Sequence, residues 1–464
     1  MSGIEASLRA PGDILLASAY ELGHQPHGVA FAAAFLERAG FHPATLDLAV
    51  ERLDAARIRR AKVVAISVPM HTALRIGLAF ATRVRAENPG ALLAFHGLYA
   101  PLNADLLVRA GASAVLGGEC EDELVAFALA AEKGEPLGRF VLRGGAVAPR
   151  RRLEYPLPSR AALPPLDRYA RFVGADGVAR LAGYTEATRG CRHLCRHCPV
   201  VPIYGGRFFA VPEDVVVEDV ARQVAAGAEH VTFGDPDFLN GPTHALRIAR
   251  TVHARFPRLT FDFTAKIEHL VRLPAEVAEL AGLGAAFVTS AVESLSDRVL
   301  ERLSKGHTRA DALRAFDLCR EAGIPLRPSL VPFTPWATLE DYLDLLEVFE
   351  ARGLLAQLDP VQLSIRLLVP PGSLLEGDPG VAWGGLDEVG LSWRWMHPDP
   401  RMDTLQARVA SEVEAAATRK EDPLATIARV KVLALAEAGL PHGHVRTLAP
   451  DQRRVPRLTE SWFC

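Results

Sequence analysis

Hydrophobic and polar residues alternate along the first 145 residues in a pattern that predicts short buried strands separated by helices. The run Lys62-Val-Val-Ala-Ile-Ser-Val68 is continuous and β-branched, as in strands buried on both faces of a parallel sheet. Helices are predicted at about 29–39 and 73–88. This alternation predicts an open, doubly wound parallel sheet, in which ligands lie beyond the carboxyl ends of the strands. Those ends carry Ser67-Val-Pro-Met-His71, His96-Gly-Leu-Tyr99 and Gly117-Gly118-Glu119.

A segment rich in proline and arginine separates this domain from a second series of strands and helices, and reads as a linker or a wrapping segment. Six parallel strands with helices between them predict a partial β/α barrel, whose reactive centre lies at the carboxyl ends of the strands. Its predicted strands are 180–184, 230–233, 260–264, 286–290, 325–331 and 360–368.

After Pro370-Pro371-Gly372 the pattern weakens, and a tryptophan-rich stretch precedes one or two amphipathic helices at about 404–419 and 423–438. The fold class is therefore α/β, with four parts along the chain. They are a doubly wound, Rossmann-like domain (1–145), a linker (146–170), a partial (β/α)6 barrel (171–375) and a small helical C-terminal cap with a cysteine-ending tail (376–464).

Composition narrows the function classes. At 464 residues the chain is too long for one ordinary core. A net charge of −3 with interspersed acids and bases gives no indication of nucleic acid or an anionic membrane as partner. No apolar run is long enough to span a bilayer, and the N-terminus lacks the layout of a signal peptide. We therefore expect a cytoplasmic protein whose thiols stay reduced and can bind metal.

Three of the six cysteines lie within eight residues, as Cys191-Arg-His-Leu-Cys195-Arg-His-Cys198, after the first strand of the second series. Thiolates at this Cys-x3-Cys-x2-Cys spacing can hold three irons of a 4Fe–4S cluster and leave the fourth without a protein ligand. Zinc is the alternative, with His193 or His197 as the fourth ligand, although structural zinc sites usually use two separated ligand pairs. Chance clustering of the cysteines is the remaining alternative.

The cysteine spacing at the end of a strand resembles that of the radical S-adenosylmethionine (SAM) superfamily. Glu186-Ala-Thr-Arg-Gly190, which leads into Cys191, is similar to the segment that precedes the motif in many members. The resemblance implies that the amino and carboxylate groups of SAM chelate the open iron. An electron from the cluster then breaks a carbon–sulfur bond of SAM and releases a carbon radical.

The resemblance also implies roles for four residues at the ends of the predicted strands. Asp235 and Asp237, in Gly-Asp-Pro-Asp after the second strand, would bind the amino end of SAM. Glu293 and Ser294, at the fourth strand, would contact its ribose. Taken alone, the two aspartates also suit an ordinary turn with a helix cap, and Glu293-Ser294 suits a helix start.

Three basic residues, one on each of three further predicted strands, are candidates for binding the SAM carboxylate or a substrate anion. They are Lys266, Arg327 and Arg366. Ion-paired or solvated residues at the barrel rim are the alternative for all three.

The N-terminal domain resembles the cobalamin-binding modules that precede many radical SAM barrels, and Gly117-Gly-Glu-Cys-Glu121 is similar to a segment common there. The loop Tyr20-Glu-Leu-Gly-His-Gln-Pro-His-Gly28 lacks the Asp-x-His-x-x-Gly pattern that supplies a histidine to cobalt. His24 or His27 would have to substitute, and solvated loop histidines are the alternative. Cobalamin is therefore an open cofactor.

Several further motifs resemble the radical SAM proteins named for a CUAEP or CCAEP tail, among them Thr334-Pro-Trp336 and Ile365-Arg-Leu-Leu-Val-Pro-Pro-Gly372. This chain stops at Cys464, the first residue of such a tail. The resemblance implies a gene that continues through a UGA codon read as selenocysteine, which the downstream nucleotide sequence tests. A thiol on a returning tail could ligate the open iron, bind a thiophilic substrate or quench a radical; a disordered end is the alternative.

The sequence thus predicts a radical SAM enzyme that acts on a small, unidentified molecule and receives electrons from a partner such as flavodoxin or ferredoxin. Which carbon–sulfur bond of SAM breaks stays open. The alternatives are a cobalamin-dependent methyltransferase and a non-catalytic iron–sulfur redox sensor with Cys464 as fourth cluster ligand.

Overall fold

The N-terminal strands form one parallel sheet in the computed structural model, which describes residues 7–144, 153–441 and 455–460. The order β2-β1-β3-β4-β5 reverses direction between β1 and β3, and a ligand crevice forms at such a reversal. The strands are β1 (Ile14–Ser18), β2 (Ala44–Asp47), β3 (Val63–Ser67), β4 (Leu92–His96) and β5 (Ala112–Leu116). The helices are α1 (His27–Arg38), α2 (Ala55–Arg60), α3 (His71–Glu87), α4 (Ala104–Arg109) and α5 (Glu121–Glu132).

Helices cover both faces of this sheet, as the sequence predicted. One hydrophobic core contains α1 and α5 against one face, and a second contains α2, α3 and α4 against the other. Each of β1, β3, β4 and β5 is buried along its whole length. Continuous apolar runs are required there because both faces of each strand meet a helix.

The second half of the chain builds a curled half-barrel. Its strands, together with a short hairpin, are β6 (Arg171–Val173), β7 (Ala179–Thr185), β8 (Thr188–Gly190), β9 (Phe208–Ala210), β10 (His230–Phe233), β11 (Thr260–Thr264), β12 (Ala285–Glu293) and β13 (Leu326–Leu330). The helices are α6 (Val200–Tyr204), α7 (Glu213–Ala225), α8 (Pro242–Arg255), α9 (Ile267–Arg272), α10 (Pro274–Gly282), α11 (Asp297–Arg302), α12 (Arg309–Glu321) and α13 (Leu339–Ala351).

Five of these strands are parallel neighbours, in the order β13-β12-β11-β10-β7. The sixth predicted strand, 360–368, is not a strand in this structure. A 3₁₀ turn occupies Pro360–Leu363, with Asp359 as its N-cap, and only an isolated bridge between Phe333 and Arg366 follows. Pro360 favours the first position of such a turn and lacks the N–H that a strand needs, which explains the difference.

The C-terminal part is a hairpin followed by two helices, so the cap is less purely helical than predicted. The tryptophan-rich stretch forms the antiparallel strands β14 (Ala382–Asp387) and β15 (Ser392–Met396). The helices α14 (Pro400–Thr418) and α15 (Pro423–Glu437) contribute side chains to the half-barrel core. A last strand, β16 (Arg457–Leu458), pairs antiparallel with β6 at the edge of the half-barrel. None of the helices within the described ranges is long and apolar enough to cross a membrane.

Arg160, in the proline-rich segment, connects the parts of the molecule. Its guanidinium donates two hydrogen bonds to Asp219 of α7, at 2.7 and 2.8 Å. It also donates to Gln25 of the N-terminal domain at 2.9 Å and to the carbonyl of Tyr184 on β7 at 2.7 Å. The described part of this segment therefore wraps both sheets together.

Replacing Asp219 by Asn should destabilise the folded chain, because the change leaves a buried guanidinium without its counter-charge. The side chains of Arg160 and Asp219 are 10% and 1% exposed. We expect a loss of about 3 kcal/mol in the free energy of unfolding, measured by urea denaturation. The matched control is Glu279→Gln, which breaks an exposed bidentate pair with Arg250 and should change little. Equal effects of the two substitutions would contradict the assignment.

Candidate active site

The three clustered cysteines lie on one loop inside the β8–β9 hairpin. Gly190 ends β8 with a φ of +76°, and a Cβ there would lie 2.5 Å from the carbonyl of Arg207 and from the ring of Tyr204. Only glycine fits this close approach. The hairpin and the short helix α6, which ends at the left-handed Gly205, therefore fix both ends of the cysteine loop.

The thiols lie in an apolar environment at the contact between the two domains. Cys191 and Cys198 pack against a small cluster formed by α6 and Leu102 of the N-terminal domain. Burial raises the pKa of Cys198 to about 12 and also raises that of Cys191. Both thiols therefore hold their protons until a metal ion displaces them, as is usual for cysteine ligands.

Asp235, predicted to bind SAM, connects the end of β10 to the start of β8. Its carboxylate accepts hydrogen bonds from the backbone N–H groups of Ala187 and Thr188, at 2.9 and 2.5 Å. It also accepts one from the hydroxyl of Thr188 at 2.6 Å. Both oxygens are thus engaged with the segment that leads into Cys191.

Glu293, the predicted ribose contact, connects the end of β12 to the cysteine loop. Its Oε1 lies 3.2 Å from Nε2 of His197 and 3.0 Å from Nζ of Lys305. Burial raises the pKa of this carboxyl, but the charge of Lys305 and the hydrogen bond with His197 outweigh it and hold the pKa well below its usual range. Glu293 has a φ of +61°, an uncommon conformation for a residue other than glycine, at an irregularity in the pairing of β12 with β13. Its neighbour Ser294 accepts a hydrogen bond from the N–H of Ser296 at 3.0 Å.

Asp237 and Lys266 lie on the same side of the cysteine loop. Asp237 caps the 3₁₀ turn that follows β10, with Oδ1 accepting from Leu239 at 3.1 Å, and its Oδ2 faces two imidazoles. Nζ of Lys266 lies 3.6 Å from Oε2 of Glu268. Burial, followed by the charge of Lys266, lowers the pKa of His193 to about 4.

A cavity of about 490 Å³ lies where the carboxyl ends of the N-terminal strands face the cysteine loop. The N-terminal sheet contributes Ser67, His96, Gly97, Gly118 and Glu121, and the half-barrel side contributes Tyr184, Glu186, Arg189, Gly190, His197, Gly234 and Arg366, among others. Within the described part of the chain, the lining does not include Asp235, Asp237, Glu293 or Ser294. The structure therefore brings Asp235, Asp237 and Glu293 to the cysteine loop or to the segment that leads into it, where they contact protein, whereas Ser294 contacts Ser296.

A buried cluster of charges forms one wall of this cavity. Arg189, two residues before Cys191, donates to Glu121 at 2.5 Å and to Glu186 at 3.2 Å, and lies 3.7 Å from Glu119. Its guanidinium also lies over the ring of Phe31, at 4.6 Å. One guanidinium therefore faces three carboxyl groups in this wall.

Three buried polar atoms of the cavity residues have no hydrogen-bond partner among the described residues. They are Oε2 of Glu121, Nε2 of His96 and Nδ1 of His197. Burial lowers the pKa of His96 to about 4, so its imidazole is neutral near pH 7. Unsatisfied buried groups in a cavity favour a ligand that donates hydrogen bonds to them.

The remaining predicted residues lie in three different places. Arg366 lines the cavity, where it pairs with Asp403 at 2.5 Å and stacks on the ring of Trp395 at 3.5 Å. Arg327, the second residue of β13, lines a separate small cavity inside the half-barrel with Asp359. Its position near the start of the strand, rather than the end, separates it from the cysteine loop. Cys464 lies outside the described residues.

The two loop histidines near the N-terminal sheet are buried rather than solvated. His24 packs against the ring of Tyr184 at 4.7 Å, and Nδ1 of His27 lies 3.0 Å from Nη2 of Arg160. Neither lines the cavity within the described part of the chain.

Sequence reasoning did not predict Glu186, Arg189, Glu121 and His96 as site residues, and considered His197 only as a zinc ligand. Their signal was position: Glu186 follows β7, Arg189 lies in β8, His96 ends β4, Glu121 begins α5 and His197 lies inside the cysteine motif. The sequence segments that contain them were recognised, but the pairing of residues more than 60 apart along the chain, such as Arg189 with Glu121, was not.

Comparison with known proteins supports the prediction made from the cysteine motif. Residues 185–346 match the family model of the radical SAM superfamily. The tRNA-2-methylthio-N(6)-dimethylallyladenosine synthase of Geobacter sulfurreducens is 27% identical over 201 residues, which is 40% of this chain and 43% of that protein. The ribosomal protein uS12 methylthiotransferase RimO of Desulfosudis oleivorans is 27% identical over 180 residues, 35% of this chain and 39% of that protein. The chain thus spans less than half the length of these relatives.

Two solved structures share the fold over most of the chain. The radical SAM methyltransferase TsrM from Kitasatospora setae, with tryptophan and a SAM analogue bound, has a TM-score of 0.57 and 20% identity, over 73% of this chain and 71% of that one. The cobalamin-dependent SAM radical enzyme OxsB has a TM-score of 0.67 and 14% identity, over 87% of this chain and 66% of that one. The match to the family model spans the cysteine loop and the parallel strands β10 to β13 that surround it. Residues 185–346 are therefore similar to the radical SAM superfamily, and most of the chain shares its fold with the two solved enzymes.

Proposed function

We propose that this protein is an enzyme that cleaves SAM reductively and directs the resulting carbon radical at a small molecule. The observation that carries the proposal is the position of the cysteine loop at the wall of the cavity between the two domains. A metal-binding loop at the wall of a cavity can act on a ligand bound there, whereas a purely structural metal site needs no cavity beside it.

Cys191, Cys195 and Cys198 would hold the cluster. Three thiols on one short loop, packed in apolar surroundings, fit a cluster that has three protein ligands and one open iron. When bound, a 4Fe–4S cluster with SAM on that iron supplies the electron that breaks the carbon–sulfur bond.

The side chains around the loop would position it and close it off from water. Asp235 and Glu293 attach opposite ends of the loop to β10 and β12. Because their carboxylates are occupied, we assign to them the placement of the loop rather than direct contact with SAM. The carboxylate of Glu186 and the backbone at Gly190 and Gly234, which line the cavity, are better placed for the polar groups of SAM.

The charges of the cavity favour a substrate with an N–H donor or a positive charge. Three carboxylates face one guanidinium there, and Oε2 of Glu121 has no partner among the described residues. A cationic or amine group would satisfy this oxygen, whereas a carboxylate would be repelled. The three carboxylates are those of Glu119, Glu121 and Glu186.

The exposed side of the cysteine loop would receive the electron donor. Arg192 and Leu194 are exposed there, between the half-buried Cys191 and the buried Cys195. A basic side chain beside an apolar one suits an acidic protein such as flavodoxin or ferredoxin, because complementary charge steers the encounter.

Loss of one cluster ligand is the first test. After anaerobic reconstitution, Cys195→Ala should lose most of the bound iron and acid-labile sulfide, because two thiolates hold the cluster poorly. The control is Cys319→Ala, a buried thiol in the helical layer that should keep both. Zinc without labile sulfide in the wild-type protein would contradict the cluster.

Product analysis is the second test. With SAM and a chemical reductant, the wild-type protein should form 5′-deoxyadenosine or methylthioadenosine, and Cys195→Ala neither, as mass spectrometry would measure. The first product indicates hydrogen abstraction and the second indicates aminocarboxypropyl transfer.

Addition of a set of primary amines should increase turnover more than addition of a matched set of carboxylates. Cluster content without SAM cleavage would favour a redox sensor instead.

A cobalamin-dependent methyltransferase is the second candidate, favoured by the cavity at the carboxyl ends of the N-terminal strands and by the cobalamin named for OxsB. The loop that carries His24 and His27 offers no histidine to this cavity, whereas His96 offers an unpartnered, neutral imidazole. His96 is therefore the residue here that would bind the cobalt of a bound corrinoid.

Titration with hydroxocobalamin tests this candidate. If cobalamin binds through His96, the visible spectrum of the bound cofactor should change in His96→Ala and stay unchanged in the control His244→Ala, a partly buried histidine on α8. No saturable binding by the wild-type protein would eliminate the candidate. Binding with the same spectrum in all three proteins would eliminate the role of His96.

A further inference from the structure

Three side chains at the cysteine loop, one half-buried and two buried, direct ligand atoms at one another. They are Nε2 of His193, Oδ2 of Asp237 and Nδ1 of His269, which all lie within 4.8 Å of one another. None of these three atoms has a hydrogen-bond partner among the described residues. Asp237 is fully buried and the side chain of His269 is 8% exposed. Such unsatisfied atoms are uncommon in a folded interior and require an explanation.

The spacing suits a metal ion. Oδ2 of Asp237 lies 2.8 Å from Nδ1 of His269 and 3.6 Å from Nε2 of His193. Neighbouring ligands on a first-row metal, with bonds of about 2.1 Å, lie roughly 2.9–3.4 Å apart. Two of the three separations are therefore close to those of a bound ion. The third, between the imidazoles, closes if His193 on its loop moves inward.

The surroundings of the three residues also resemble those of a metal site. Oε2 of Glu268 lies 3.7 Å from Nδ1 of His193, the ring nitrogen that faces away from Asp237. A carboxylate behind a ligating histidine orients the ring and raises its basicity. Lys266 and Arg272 pair with Glu268, at 3.6 and 2.7 Å, so the charge of Asp237 remains available to a cation.

We propose that His193, Asp237 and His269 bind a divalent transition-metal ion at a site separate from the three cysteines. Two imidazoles and one carboxylate suit Zn²⁺, Fe²⁺, Co²⁺ or Mn²⁺. Because His193 lies between Cys191 and Cys195, the ion would attach the cysteine loop to the turn after β10 and to helix α9. The proposal needs only these residues, and holds whether or not SAM is cleaved.

Cobalt binding to a chain without the cysteine ligands tests the site without interference from the cluster. The full-length variant Cys191→Ala/Cys195→Ala/Cys198→Ala is titrated with Co²⁺ and followed by its visible ligand-field absorption. We expect one ion per chain and a spectrum of nitrogen and oxygen ligands. Adding His193→Gln should abolish tight binding, and adding Glu268→Gln should weaken it roughly tenfold.

The control is His253→Gln on α8, which removes another imidazole with an unpartnered buried nitrogen and should leave cobalt binding unchanged. Asp237→Asn is added only if circular dichroism shows that it folds. As a second measurement, cluster-loaded protein is dialysed against Zn²⁺ and its zinc is counted separately from iron. His193→Gln should lose the zinc.

Two results would overturn the proposal. One is the absence of saturable Co²⁺ binding together with no zinc in cluster-loaded protein. The other is metal binding that His193→Gln leaves unchanged. Either would mean that Asp237 and His269 form an ion pair that positions the loop without metal.

Discussion

The buried contact between Arg189 and three glutamates is the interaction on which the rest of the structure depends. Glu119 and Glu121 come from the N-terminal sheet, Glu186 from the end of β7, and Arg189 lies two residues before the first cysteine. A single guanidinium therefore fixes the position of the two domains and that of the cysteine loop. Removing one partner of a buried ion pair typically costs about 3–5 kcal/mol in the free energy of unfolding. The same contact therefore stabilises both the cavity wall and the cysteine loop.

The imbalance of charge in this contact has a chemical consequence. Burial raises the pKa of Glu119 and of Glu186, and the hydroxyl groups of Tyr155 and Tyr204 donate to Glu119. These two carboxyl groups therefore hold their protons to a higher pH than exposed carboxyl groups do. A wall of this kind can offer either a proton or a negative charge to a ligand in the cavity.

Local pattern was sufficient for the fold class and for the resemblance to the radical SAM superfamily, because both are encoded by neighbouring residues. The β-branched run of β3 and the cysteine spacing are examples. The pattern failed at 360–368, where one proline converts an apolar run into a 3₁₀ turn, and at the tryptophan-rich hairpin. The pattern also could not tell whether Asp235 faces backbone amides or a ligand, since the residues that donate hydrogen bonds to it lie nearly fifty positions away along the chain.

The residues between the cysteines also make specific contacts with the rest of the protein. His197 contacts Glu293 at the end of β12, and His193 faces Asp237 at the end of β10, so both histidines of the motif attach the loop to parallel strands. Strand ends are rigid, and a loop attached to several of them needs little rearrangement when a cluster binds or changes its charge. The two residue types of the Arg-His pairs in Cys-x3-Cys-x2-Cys thus face different sides. The arginines face outward or towards the cap, and the histidines face the half-barrel. One face of this short segment is therefore exposed while its other face is held by the half-barrel.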